Sequence, residues 1–242
     1  MGSSALSNQW SRLIGQGRGQ GARVVAWHVR AADSEWVSRV WAGVQAEAGW
    51  PAPALAVDGA EGWLVCFALP PAQPAAEARA VLRALIQGLL RQAGVTVSAS
   101  DVAAWRFTCW PDELPADVST GATTDSVPVP RQTGPDRWSA FVAPDLVPVF
   151  AESPWLDCEP GQEGQAALLG KLQPISAADW ARMAPPPASQ AGPAVADESG
   201  LGRQGNQAVA GDPRSFLLTV MNDASVDMAL RIEAARVLLA HG

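Results

Sequence analysis

Between residues 23 and 110 the apolar side chains switch back and forth between the strand period and the helix period, and that switching sets the fold class. Arg23–Arg30 (RVVAWHVR) is short, β-branched and apolar, which predicts a strand. Asp33 or Ser34 can then cap a helix running to about Ala48, with Trp36, Val37, Val40, Trp41 and Val44 at helical spacing. Gly49 ends it, and Trp50-Pro51 returns the chain to an extended path. Ala54–Val57 and Gly62–Leu69 (GWLVCFAL), joined across Asp58-Gly59, predict a hairpin that Pro70 and Pro71 should stop. A long helix follows from about Pro74 to Ala93, with Ala78, Val81, Leu82, Leu85, Ile86 and Leu89 on its apolar face. Gly94 closes it, and Trp105–Trp110 (WRFTCW) is the next strand. The order strand-helix-strand-strand-helix-strand predicts an α+β protein. Its core would be a split β-α-β (ferredoxin- or RRM-like) antiparallel sheet with both helices on one face.

The flanks read differently. Residues 1–21 end in the run GQGRGQG, which precedes the first strand instead of following one, so it predicts a flexible leader and no dinucleotide fingerprint. After residue 110 come Pro-punctuated extended pieces, Val127–Pro130, Trp138–Val142 and Leu146–Phe150, then short helices at Glu163–Leu172 and Ala177–Met183. Together these predict a second, irregular half-domain within a domain spanning 22–183. Residues 184–211 are rich in Pro, Ala, Gly, Ser and Gln and predict a linker. Asp212-Pro213 opens a helical hairpin over 212–242, whose seam would hold Phe216, Leu217, Val220, Leu230, Ala234, Val237 and Leu238.

Composition excludes several classes. A hydrophobic fraction of 48% is that of a globular core, and no apolar run approaches the roughly 18 residues of a membrane span. The net charge is −7, but residues 1–110 hold nine Arg against seven acids, so the acidity belongs to the second half. Whole-surface attraction to duplex nucleic acid is therefore not expected, while a local basic contact in the first half is. The three cysteines are far apart with no CxxC, and two lie in apolar strand-like runs, which predicts buried thiols in a reducing, cytoplasmic setting. MGSSALSNQW has no charged region followed by an apolar stretch, and Leu6 stands where an N-myristoylation signal needs Ser or Thr. No cofactor and no metal site are indicated.

Alternation along the first strand puts Val25, Trp27 and Val29 on one face and His28 and Arg30 on the other. The apolar set should meet the helices. On the third strand the small set Leu64, Cys66 and Ala68 suits close helix packing, which would leave Trp63 and Phe67 beside His28 and Arg30 on an open face. Such a face could stack bases and contact phosphate as single-strand platforms do. If the second half-domain covers it, the same aromatics are core.

Here the chain resembles the archaeo-eukaryotic primase superfamily, particularly the primase-polymerase-like proteins of plasmids, phages and other mobile elements. The residues that carry the likeness are Asp58-Gly59-Ala60-Glu61-Gly62-Trp63-Leu64-Val65, Cys109-Trp110-Pro111-Asp112-Glu113-Leu114 and Val127-Pro128-Val129-Pro130-Arg131, and it spans roughly residues 22–150. The resemblance implies a sheet bearing two metal-binding acids and a hairpin histidine. In this chain His28 and Arg30 stand at the positions of the acids, and Trp63 at that of the histidine. Nucleotidyl transfer needs carboxylates to hold the metals that bridge the triphosphate, so the polymerase chemistry is expected to be lost. The C-terminal hairpin resembles a helical segment of phage and mobile-element proteins, including small terminase-like ones.

Three functions follow as expectations. The leading one is a non-catalytic primase-like accessory protein of a mobile element, contacting single-stranded DNA or RNA through His28, Arg30, Trp63, Phe67 and Arg131. The second is an interaction module in which Phe216, Leu217, Val220, Leu230 and Val237 hold a replication or phage protein. The third is a residual metal-dependent nucleotidyltransferase in which Asp33 substitutes for a lost acid. None involves a membrane.

Overall fold

A computed structural model describes residues 4–15, 19, 21–114 and 127–184. Every described residue belongs to one unit of the chain, Met1–Gln190. The expected hairpin residues Phe216, Leu217, Val220, Leu230 and Val237 therefore lie outside the described residues, as does the expected linker apart from Ala184.

This unit is a mixed α+β fold. In chain order its elements are α1 (Ala5–Ile14), β1 (Ala22–Arg30), α2 (Ser34–Ala46), β2 (Ala54–Val57), β3 (Gly62–Gln73), α3 (Ala75–Gln92), α4 (Ala99–Ala104) and β4 (Arg106–Trp110). Then follow β5 (Gln132–Gly134), β6 (Arg137–Trp138), β7 (Ala140–Val142), α5 (Gln162–Gly170) and α6 (Ala177–Met183). Five strands form one antiparallel sheet in the order β4-β1-β3-β2-β7, and β5 and β6 form a separate small ribbon.

Both faces of the sheet are buried, each under its own helices. On one face Val25, Trp27, Val29, Trp63, Val65 and Phe67 pack with Val37, Val40 and Val44 of α2 and Ala78, Leu82, Leu85 and Ile86 of α3. On the other, Val24, Ala26, Leu64, Cys66, Ala68 and Phe141 pack with Leu6, Trp10 and Leu13 of α1 and Ala166 and Leu169 of α5. A fully buried large apolar side chain contributes about 1.5–3 kcal/mol, so the second layer is as much a part of the fold as the first.

This arrangement corrects four expectations. Residues 1–21 are not simply a flexible leader: Leu6, Trp10 and Leu13 line one face of α1, Ser4 caps it by accepting from the Ser7 N–H, and Trp10 Nε1 donates to the Val129 carbonyl at 2.8 Å. The strand at Gly62–Leu69 does not stop at Pro70. It runs to Gln73, and the two prolines fall in the irregular stretch between the Val24↔Ala68 and Ala22↔Gln73 pairs, where a missing N–H leaves no ladder bond unmade. Leu146–Phe150 is not extended; it follows a short 3-10 turn at Pro144–Leu146 and stays in turns. Val127–Pro130 makes bends and no strand.

Candidate functional site

The strand registers decide where the candidate residues point. Val29 lies opposite Trp63, Trp27 opposite Val65 and Val25 opposite Phe67, so Trp63 and Phe67 share the helix-covered face with Trp27. They are 0% and 1% exposed. The expectation that they stand beside His28 and Arg30 on an open face is therefore corrected: they are core. The physical reason is that β3 is apolar on both alternate sets. Its small residues face the indoles of Trp10 and Trp110, and its large ones face the Val, Ala and Leu side chains of α2 and α3. Among the described residues no open sheet face remains.

His28 and Arg30 do come together, at the end of β1 where it emerges from the sheet. A cleft of about 470 Å³ opens there. Its lining combines three segments: the end of β1 with Arg30 and Asp33, the β2–β3 turn with Asp58 and Glu61, and the α4–β4 junction with Asp101 and Arg106. Trp27, Trp36 and Trp105 form its apolar wall, with Trp105 set edge-on to Trp27 at 5.2 Å and to Trp36 at 6.3 Å between ring centroids.

Local chemistry holds this cleft in shape. The Asp58 carboxylate accepts from the backbone N–H groups of Ala60 (2.7 Å) and Gly62 (3.0 Å), which tightens the turn. Gly59 has φ +81° and no room for a Cβ against Thr133 and the Ser139 backbone, so only glycine fits. Thr133 Oγ1 donates to the Gly59 carbonyl, and the Gly59 N–H donates to Pro154 at 3.1 Å, pinning the turn to the β5–β6 ribbon. On the other side Ser98 and Asp101 form a capping box at the start of α4, and those hydrogen bonds hold the Asp101 carboxyl below its ordinary range.

The charges are unequally committed. Arg30 is 74% exposed but paired to Asp33, its Nε and Nη2 reaching Oδ2 at 2.8 and 2.7 Å. Arg106 is exposed, lies directly opposite His28 in the β1–β4 pair, and has no carboxylate partner among the described residues. The His28 ring shares a 2.7 Å hydrogen bond with Thr108 Oγ1 on β4. Burial first and Arg106 second push its pKa below the usual 6.5, against a smaller upward pull from Asp58, so at neutral pH the imidazole is uncharged.

The divalent-metal pair implied by the primase resemblance does not fit this donor set. Arg30 cannot ligate a cation, and no three His, Cys, Asp or Glu side chains gather as ligands among the described residues. The Cys66 thiol is fully buried, its pKa pushed up to about 12 by burial, and it faces away from the cleft's indole wall into the α1–α5 layer. Arg131 does not line the cleft; it is exposed at the base of the β5–β6 ribbon, its backbone N–H held by Ser139 Oγ at 2.9 Å.

Sequence reasoning missed Arg106, Trp36 and Trp105 as cleft residues. The signal for Arg106 was present: alternation within WRFTCW puts Arg106 and Thr108 on one face, and pairing β4 beside β1 makes that the face of His28. No protein-family model matches the chain, and the searches of curated proteins and of solved structures find no match either.

Proposed function

We propose that this chain is a non-catalytic, primase-like accessory protein of a mobile genetic element that holds single-stranded nucleic acid at the cleft beyond the end of β1. The strand order β4-β1-β3-β2, with α2 and α3 on one face, supports a split β-α-β core of the RRM-like kind. The observation that carries the functional reading is positional. The two places where the resemblance puts metal-binding acids hold His28 and Arg30, and both line a formed cleft of about 470 Å³.

In this reading the pocket persists while its chemistry has changed from metal binding to direct contact. Arg106 supplies the uncommitted guanidinium for phosphate with the Asp33-paired Arg30 beside it, the neutral His28 supplies a hydrogen-bonding ring, and Trp36 and Trp105 form an apolar wall for a base. Arg131, at the base of the ribbon that pins the turn, extends the contact outside the cleft. Trp63 and Phe67 act only through packing.

Titrating a fluorescently labelled single-stranded oligonucleotide with the full chain at low salt tests the reading. The expected result is a saturable rise in anisotropy that Arg106→Gln weakens by about tenfold, as for loss of one charge-assisted phosphate contact. An unchanged affinity for the Arg106→Gln and Arg30→Gln chains would place any binding elsewhere and remove the cleft from the account.

A further inference from the structure

Resting on the proposed reading of the cleft, its charge pattern carries a narrower conclusion about the ligand. We propose that the cleft is an end-recognition site: it accepts one terminal phosphomonoester of a nucleotide or strand, with Arg106 as the anchor, and not a run of internal phosphates.

Of the two guanidinium groups in the cleft, Arg30 is neutralised by Asp33 at 2.7 Å, and Arg106 has no carboxylate partner among the described residues. A strand threaded through the cleft would present several phosphates to one uncommitted cation. It would also pass four carboxylates, Asp33, Asp58, Glu61 and Asp101, which outnumber the two arginines. Within a cleft this small those charges lie inside the Debye length of about 8–10 Å and are not screened from a bound phosphate. Each further phosphate is therefore repelled.

A single terminal phosphate meets this repulsion once, beside Arg106, and not at each step along the rim. It carries up to two negative charges on one group, which a planar guanidinium can engage through two parallel N–H···O bonds. Sugar hydroxyls and exocyclic amino groups are hydrogen-bond donors, for which a carboxylate rim is suited. The volume agrees: about 470 Å³ lies in the range of small-molecule sites of about 300–1,000 Å³. The Asp58 turn and the Thr133–Gly59 tie hold the β2–β3 side of the rim in place.

The test compares thymidine monophosphate with three oligothymidylates of one length, carrying a phosphate at the 5′ end, at the 3′ end or at neither. Each is titrated into the full chain by calorimetry at several salt concentrations. The mononucleotide and at least one end-phosphorylated strand should bind within about threefold of each other, and the unphosphorylated strand about tenfold or more weaker. The logarithm of the affinity should fall with the logarithm of salt concentration with a slope near −1, as for about one phosphate contact. Arg106→Gln should abolish the preference for a phosphorylated end, and Arg106→Lys, which keeps the charge but not the fork, should retain part of it. Equal binding of all three strands, an affinity that grows with strand length, or a steep salt slope would overturn end recognition while leaving the nucleic-acid reading intact. Absence of binding by every probe would overturn both.

Discussion

The buried amide of Gln165 offers the sharpest test of how this fold closes its sheet. Phe141 in β7 turns its backbone N–H and C=O away from β2 toward α5, where Gln165 meets both: Oε1 accepts at 2.6 Å and Nε2 donates at 3.0 Å. Gln165 is 6% exposed, so the side chain takes the place of a sixth strand at one residue of the edge. In Gln165→Leu the volume is kept, both bonds are lost, and two buried backbone groups are left without partners. At about 1–3 kcal/mol for each unsatisfied group, the expected loss is about 2–6 kcal/mol. Gln165→Glu gives the converse signature. An ionised carboxylate still accepts from the Phe141 N–H but repels the carbonyl, so its folded pKa is raised above the unfolded value. Its stability is then fullest at low pH and is lost as pH rises through the folded pKa. Urea unfolding followed by tryptophan fluorescence reads this unit alone, because all eleven tryptophans lie between Trp10 and Trp180. With a slope of about 2 kcal/mol per molar, Gln165→Leu should lower the midpoint by about 1–3 M. A midpoint within about 0.2 M of the parent chain would refute the edge-closing argument.

Two further predictions follow from the same geometry. Trp63→Ala empties a site at 0% exposure between the sheet and α2–α3, so it should cost about 3–5 kcal/mol in the same assay. A stable Trp63→Ala chain with altered ligand binding would show that the residue faces a surface. The lowered His28 pKa means that below its usual 6.5 the unfolded chain binds more protons than the folded one. Stability is therefore full above that value and falls as pH is lowered through the window beneath it. The difference between parent and His28→Gln chains should grow with pH across this window, and a pH-independent difference would contradict the assignment of burial and Arg106 as its causes.

Much of this was legible from residue patterns alone, and the failures fall where the deciding contact is distant in the chain. The apolar stripe Ala78, Val81, Leu82, Leu85, Ile86, Leu89 placed α3, and Val25, Trp27 and Val29 were correctly turned toward the helices, because in each case one face was plainly more apolar. β3 defeated the same reasoning. Trp63, Val65, Phe67 and Leu64, Cys66, Ala68 are both apolar sets, so alternation cannot say which meets the α2–α3 layer, and side-chain size points to the wrong phase. Leu6, Trp10 and Leu13 already had helical spacing, but the glycine-rich run after them pointed to a leader; nothing local revealed that a second sheet face needed cover. For the cleft, His28 and Arg30 were found from β1 itself. Arg106 depends on which strand lies beside β1, which is a property of the whole sheet.

The pairing of α1 with α5 also sets the order in which the fold can be completed. Arg12 Nη2 donates to the Leu172 carbonyl at 3.1 Å across 160 positions of chain, so the layer over Val24, Ala26, Leu64 and Cys66 cannot close until both ends have been made. At about 5–20 residues per second of synthesis, that interval is on the order of 8–32 s. Once residues 22–92 have been made, β1, β3 and the helices of the first layer can assemble with an apolar sheet face still uncovered. The sheet is therefore most exposed to misassociation on the ribosome, and completion of residues 162–172 is the event that ends that exposure.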